Sequence, residues 1–488
     1  MSKHTKYPLL NRKQVASKAY PIKILQYGDG NFLRAFMDWM VQEMNNTIDF
    51  NAGILMLKAR KGEGQIPLFK AQDSLYTVCL NGIKKGAVVS NNVRIDVVQD
   101  TLSPYSDFST YFKQAENPEL RFVFSNTTEA GIVFNENDRL VDTPQESFPG
   151  KLTALLYKRY QFFNGNIDKG FIVIPCELVE DNGTQLRNII FKYAKNWELE
   201  AEFIQWITVA NVFCNTLVDR IVPGYPASRK TEITKELGYM DQLLVEGEQF
   251  HLLVIEGPDL VEKEFPAKVA GLNVIFTKDL QPYRTQKVKI LNGAHTSLVP
   301  VGYLYGIDYV RQSIENKVVG KFLEQAVFEE ICPTIDLPQA AVLDFATDVL
   351  DRFKNPFLEH KLLSISLNSI SKYKTRVLPS VLDYVKNTGE LPKRLTFALA
   401  ALFCFYKGDR NGEAIPLHDD SYVLDYFKKE WSKYTETEES ALVLVTAVLS
   451  NTNFWGQDLT QVKGVSTLVT VYLFQIEKEG INKAILQF

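Results

Sequence analysis

The chain has 488 residues, 45% of them hydrophobic and 23% charged, with a formal net charge of −4 at neutral pH. That length exceeds what one hydrophobic core normally holds, so two domains, or three, are expected. The composition is that of a soluble globular protein, and the weak negative charge offers no footprint for nucleic acid or an anionic membrane.

The opening segment, MSKHTKYPLLNRKQ, lacks the apolar core of a signal peptide. Cys79, Cys176, Cys214, Cys332 and Cys404 are odd in number, widely spaced and mostly in apolar company. They read as reduced core thiols, which suits a cytoplasmic location. His4, His251, His295, His360 and His418 include no pair at helical metal-ligand spacing, and there is no CxxC, so nothing points to a zinc site.

In chain order, IKILQY (22–27) is a short apolar strand that runs into Gly28-Asp29-Gly30-Asn31-Phe32-Leu33-Arg34. A helical pattern follows, with Phe36, Met40 and Met44 on one face. Strand, glycine turn and helix open a dinucleotide-binding unit. Gly28 allows the tight turn, Gly30 lets the backbone approach a pyrophosphate, and the helix N-terminus favours its charge. Leu33 stands where a third glycine is usual, so the motif alone also fits an ordinary strand–turn–helix. ILML (54–57) is a second strand; Lys58, Arg60 and Lys61 follow it where an acidic residue for the adenosine ribose is usual, which leaves NAD and NADP both open. RIDVV (94–98) and RFVF (121–124) are further strands. The polar loop Ser125–Glu129 lies where a ribose and nicotinamide would pass, with helix capping as its structural alternative.

Helices are expected over 151–163, 184–197 and 204–216, and strands over 170–176, 251–255 and 273–276. Asp219-Arg220, in the apolar run LVDRIVPG, suggests a paired charge. From about 285 the texture becomes helical: 316–331, 339–353, 357–371, 376–387, 393–407, 420–432 and 439–450. The run LTFALAALFCFY (395–406) is too short to span a bilayer, which takes about 20 residues, and reads as a buried helix. The shift near 278–285, around Pro282, divides the chain into 1–280, an α/β sheet domain, and 281–488, a mainly α-helical domain.

At that junction, QKVKILNGAHTSLVPVGY (286–303) holds Lys287, Asn292 and His295 within nine residues. On a straight helix they stand at about 0°, 140° and 80°, inside one half of the surface. A lysine, an amide and an imidazole aimed at one point can move a proton and hold a carbonyl oxygen. The structural alternative is a surface lysine, a capping Asn and a satisfied core His.

Four ordered blocks resemble the mannitol dehydrogenase family, the long-chain polyol-specific dehydrogenases. GDGNFLR (28–34) is similar to its GxGxFxR turn. LVDRIVP (217–223) and the K-x4-N-x2-H spacing of Lys287, Asn292 and His295 match too, as do Arg352, Asn355, Pro356 and His360 in RFKNPFLEH. Lys372 and Arg376 fall where the family has a later Lys and Arg. Within the family the chain looks most like members that act on sugar acids, by FVFSNTTEAGI (122–132), IPCELVEDNG (174–183) and ILNGAHTSLVPV (290–301). Members acting on mannitol or fructuronate tend to read Cys-Asp-Asn where this chain has Cys176-Glu177-Leu178, so the second Asn of an oxyanion pair is Leu178 here.

The resemblance implies a Rossmann-type N-terminal domain, a helical C-terminal domain, NAD as cofactor and chemistry without a metal. Contacts to the cofactor are expected from Tyr27, Gly28, Asp29, Gly30, Asn31, Phe32, Arg34, Thr128 and Glu129. Lys287 would serve as general acid in ketone reduction, which requires a pKa below a free lysine's value of about 10.4. Asn292 and His295 would hold the oxygen. A sugar-acid carboxylate wants a basic partner, for which Lys372, Arg376 and Arg352 are candidates, Arg352 reading rather as an ion pair inside the helical domain; Asp219 with Arg220 would shape the pocket or lock the domain. The expected partner is therefore a small sugar acid, not nucleic acid or membrane. A polyol substrate within the same family, or a nucleotide sensor without turnover, are the competing readings.

Overall fold

The computed structural model describes residues 7–84 and 86–488, with only the backbone described for Lys84 and Glu129. The chain divides into two units, one of Met1–Asn81 with Val89–Leu280 and the other of Gly82–Val88 with Gln281–Phe488.

The strands of the first part of the chain are β1 (Ile22–Tyr27), β2 (Gly53–Leu57), β3 (Tyr76–Lys84), β4 (Ala87–Ile95), β5 (Val98–Leu102), β6 (Phe122–Ser125), β7 (Ile172–Pro175), β8 (Val212–Phe213), β9 (Asn215–Asp219), β10 (Val245–Glu248), β11 (Leu252–Glu256) and β12 (Val274–Thr277). Six form one parallel sheet in the order β5-β2-β1-β6-β7-β8. Relabelled by their sequence within that sheet, this is the order 3-2-1-4-5-6 of a Rossmann fold. The central strands are apolar throughout because both faces are covered. Ile24, Ile54, Phe122, Phe124, Ile172 and Ile174 join one core. Leu25, Tyr27, Leu55, Leu57, Val123 and Val173, out of phase by one residue, join the other.

The strand expected at 94–98 straddles two: β4 stops at Ile95 and β5 starts at Val98. The helix expected over 204–216 ends at Ala210 and gives way to β8 and β9. Residues 357–371, expected as one helix, hold Leu362–Ile365 and the start of Ser369–Arg376. The apolar run at 395–406 is the buried helix expected, Lys393–Phe405, with every residue from Leu395 to Phe405 inside. All five cysteines are buried and free.

Candidate active site

In the sheet unit, the turn after β1 lies where the strand order reverses, between β1 and β6. Gly28 has φ +137°, and a Cβ there would meet the Asn126 carbonyl oxygen at 3.0 Å, so a side chain is excluded by both conformation and space. Gly30 is exposed, with nothing within 4 Å of where its Cβ would be. Behind it starts a helix, Asn31–Leu33, that continues through a π-helical turn, Arg34–Asp38, into Trp39–Ile48. An open glycine at a helix N-terminus, at the carboxyl ends of parallel strands, fits the pyrophosphate of a dinucleotide.

Several expected cofactor contacts take other duties. Arg34 is sealed in, 1% exposed. The π turn carries it inward, where it donates to the Leu243 carbonyl (2.7 Å) and to Asn31 Oδ1 (2.6 Å) and lies over the Phe69 and Tyr76 rings. It braces the glycine turn through Asn31, with its guanidinium closed off from solvent. The Tyr27 side chain is likewise buried, its hydroxyl bonded to that of Tyr111 at 2.8 Å. Phe32 stacks on Phe36, and Asp29 is paired with Lys58 at 3.6 Å. Thr128, exposed and held at φ +83°, accepts a bond from Arg60. The Glu129 side chain lies outside the described residues.

Sequence reasoning gave no role to Glu177. It is 2% exposed and accepts from the Ser125 hydroxyl, the Thr127 amide and the Thr127 hydroxyl, each at 3.0 Å. It thereby ties the loop after β6 to the end of β7, and burial raises its pKa above the ordinary carboxylate value. Leu178, next to it, is 66% exposed. Asp219 is buried at the end of β9, and Arg220 gives its guanidinium to the carbonyls of Ala35, Phe250 and Gln249.

In the helical unit, Gln281–Lys287 and Gly293–Leu304 are joined by a π turn, Val288–Asn292, into one helical run. The extra residue of a π turn takes back about 100° of rotation, so Lys287, Asn292 and His295 fall at roughly 0°, 40° and −20°. The stripe is narrower than a straight helix would give. Lys287 and Asn292 are half-buried. Lys289, two residues along, points the other way: it is buried and spent on the Thr334 carbonyl (2.9 Å) and Asp383 (2.6 Å).

His295 is clamped. Phe353 stacks on its ring at 4.1 Å between centroids, and His360 meets it edge-on at 5.2 Å. Burial, then His360, Arg352 and Arg376, hold its pKa well below the ordinary value. It is therefore a neutral imidazole, one nitrogen donating and the other accepting. Arg376 closes the last turn of Ser369–Arg376, half-buried, with burial lowering its pKa. Gly293 is what lets that helix end approach: a Cβ on it would stand 3.0 Å from the Arg376 carbonyl oxygen. Lys372 donates to the Ile365 carbonyl at 2.7 Å, and Arg376 lies close enough to lower its pKa further. Arg352 lies close enough to lower the His295 pKa as well, and Phe353 and His360 complete the cluster.

A parallel sheet in Rossmann order, a glycine turn at its switch point and a lysine–amide–imidazole stripe define a dinucleotide-binding protein of the dehydrogenase class. Comparison with known proteins narrows this. Residues 22–269 match the mannitol dehydrogenase Rossmann domain and residues 279–476 the mannitol dehydrogenase C-terminal domain. The chain belongs to the mannitol dehydrogenase family. Relatives named altronate oxidoreductase include one from Enterobacter sp. (strain 638), 46% identical over 98% of this chain and 99% of its own. Another, from Bacillus subtilis (strain 168), is 46% identical over 96% and 95%. Among solved structures, a substrate-free D-sorbitol dehydrogenase aligns with TM-score 0.79 at 22% identity, over 98% of this chain and all of its own. A mannitol 2-dehydrogenase from Pseudomonas fluorescens, in ternary complex with NAD and D-mannitol, aligns with TM-score 0.64 at 20% identity over 98% and 99%. These two share the fold.

Proposed function

We propose that this NAD-dependent oxidoreductase of sugar acids interconverts D-tagaturonate and D-altronate, with Lys287 as the proton donor and acceptor, as a step in hexuronate breakdown. The observation that carries the reading is the basic cluster around His295. Beside burial and His360, Arg352 and Arg376 lie close enough to His295 to lower its pKa. A neutral polyol has no use for that much positive charge, whereas a uronate's carboxylate matches it. The altronate oxidoreductase relatives, similar along almost the whole chain, support the same substrate class.

The glycine turn fits a dinucleotide: Gly28 to Asn31 would hold the pyrophosphate, and the loop tied down by Glu177 would border the nicotinamide side. When bound, the nicotinamide supplies or takes the hydride. The chain's own residues manage the oxygen. As the ketone is reduced, charge grows on its oxygen, and Lys287 delivers the proton there; in the reverse direction it removes the proton from the alcohol. Asn292 donates a hydrogen bond to the same oxygen. His295, kept neutral, orients the oxygen without competing as an acid. With Leu178 exposed and apolar, Asn292 carries the amide contribution alone. Arg376 takes the carboxylate in a forked contact.

The test is NADH oxidation followed with tagaturonate, fructuronate and fructose in parallel. Tagaturonate should give the highest kcat/KM by at least about tenfold. Equal or better turnover of fructose would show that the cationic cluster does not select a carboxylate, and preference for fructuronate would move the chain to another branch of the family.

A further inference from the structure

The end of β2 lacks the acid that normally binds the adenosine ribose, and Lys58 and Arg60 stand there instead. Read alone, those cations favour a 2′-phosphate. The geometry does not. Lys58 is engaged, its ammonium 3.6 Å from Asp29 Oδ2, and both side chains are mostly covered, at 16% and 20% exposure. The loop after β2 folds back over it so closely that a Cβ on Gly64 would sit 2.5 Å from Lys58 Nζ. Arg60 is turned toward the loop after β6, donating to Thr128 Oγ1 at 3.1 Å. Both cations are thus held in contacts within the unit.

Asp29 is the acid at this edge, its side chain 20% exposed. The Gly28 amide donates to the Leu57 carbonyl at 2.9 Å, which fastens the glycine turn to the end of β2 and places Asp29 beside the missing acid's position. Its Oδ2 faces Lys58, and among the described residues its Oδ1 accepts no protein hydrogen bond. A fixed carboxylate with one free oxygen is what a vicinal diol needs as an acceptor.

We propose that Asp29, braced by Lys58, recognises the adenosine ribose diol in place of an acid at the end of β2, and thereby selects NADH against its 2′-phosphorylated form. The glycine turn supplies the acid that the second strand lacks. A 2′-phosphate would bring a dianion against the Asp29 carboxylate, and Lys58 and Arg60, two of the three cations after β2, are already engaged. This rests on the dinucleotide reading given above.

Direct binding tests it, by titrating NADH and NADPH into the full chain and following quenching of its tryptophan fluorescence, with no sugar present. The unaltered chain should bind NADH at least about tenfold more tightly than NADPH, the scale of one hydrogen bond to a charged acceptor. Asp29→Asn, which keeps the shape and removes the charge, should weaken NADH, strengthen NADPH, and shrink the ratio by about tenfold. Arg60→Ala should leave the ratio in place. An unchanged ratio in Asp29→Asn overturns the proposal while leaving the dinucleotide reading intact. A preference of the unaltered chain for NADPH, abolished in Arg60→Ala, overturns it in favour of the cations. Failure of the unaltered chain to bind either nucleotide would sink the dinucleotide reading itself, and the proposal with it.

Discussion

Asp38 should make the protein less stable as the pH rises toward neutrality, and Asp38→Asn should remove that loss. The carboxyl sits in the π turn behind the glycine motif, fully buried. Tyr76 donates to its Oδ2 at 2.5 Å, while its Oδ1 has no hydrogen-bond partner, and neither does the Oε1 of buried Gln26. Burial outweighs the Tyr76 bond, the Gln26 side chain and the more distant Arg34 charge, and raises the pKa from 3.8 to about 7. The folded pKa is raised, so this group favours folding fully below pH 3.8, where it is neutral in both states. Stability is then lost between about pH 4 and pH 7, because the unfolded chain ionises first, and the loss is complete above that. At about 1.4 kcal/mol per pH unit over roughly three units, the deficit above pH 7 reaches about 4 kcal/mol at most. At pH 5 it is only about 1.5 kcal/mol. Asparagine cannot ionise, and its carbonyl still accepts from Tyr76. Denaturant unfolding of the two proteins at pH 5 and pH 8 should show the variant more stable at pH 8, with the gap narrowing by about 2–3 kcal/mol at pH 5. A gap of the same size at both pH values, or a variant less stable at pH 8, would mean that Asp38 is not held neutral by its surroundings.

Lys287→Ala should lower kcat by roughly 10²–10⁴-fold while NADH affinity stays the same; near-normal turnover in a folded variant would remove the lysine from proton transfer. Arg376→Ala should raise KM for the sugar acid by about tenfold or more and leave NADH binding alone, since a charged hydrogen bond of about 1.5–3 kcal/mol is lost; an unchanged KM would send the carboxylate elsewhere. Gly293→Ala puts a methyl at 3.0 Å from the Arg376 carbonyl, so sugar-acid affinity should fall and the melting point with it, at a cost of about 1–3 kcal/mol. Glu177→Gln replaces an acceptor of three hydrogen bonds with a group that has one accepting atom. The loop after β6 should exchange its amide hydrogens faster, and protection equal to that of the unaltered chain would show that the carboxylate does not hold it.

The sheet was legible where strands are buried on both faces, because a parallel strand then reads as an unbroken apolar run: IKILQY, ILML, RFVF and FIVIP each declare themselves. The β3–β4 hairpin left no comparable signal, since β4 is mostly exposed and carries Ser90, Asn91 and Asn92 in its middle. Residues 204–216 misled for the opposite reason. They are mostly apolar, and a short apolar run does not separate the end of a helix from the start of a strand; Ala210 closes the helix, and β8 begins at Val212. In the site, residue types and spacing marked Lys287, Asn292 and His295, but burial reassigned others. Arg34 looked like a cofactor contact because it follows the glycines. Glu177, noticed only as a departure beside Leu178, and Asp38 were given no role, because an acidic residue is marked out by its environment and a sequence does not print one.

The π turns are the part of the site that no pattern in the sequence announces, and they matter most to its geometry. Two of them fall at the chain's chemistry, Arg34–Asp38 behind the glycine motif and Val288–Asn292 between Lys287 and His295. A π turn sacrifices regular i→i−4 bonding and is frequent at functional sites. At 288–292 its effect can be stated: it draws three side chains from a spread of about 140° to one of about 60°. An amine, an amide and an imidazole that must all reach one oxygen need the smaller spread. Lys289, two residues from Lys287 and so on the opposite side of the helix, is spent on its ion pair with Asp383. Inserting one residue just after Asn292, in the regular helix, would swing His295 by about 100° relative to Lys287. Such an insertion should abolish turnover while NADH still binds, whereas full activity would show that Lys287 and His295 need not share one stripe.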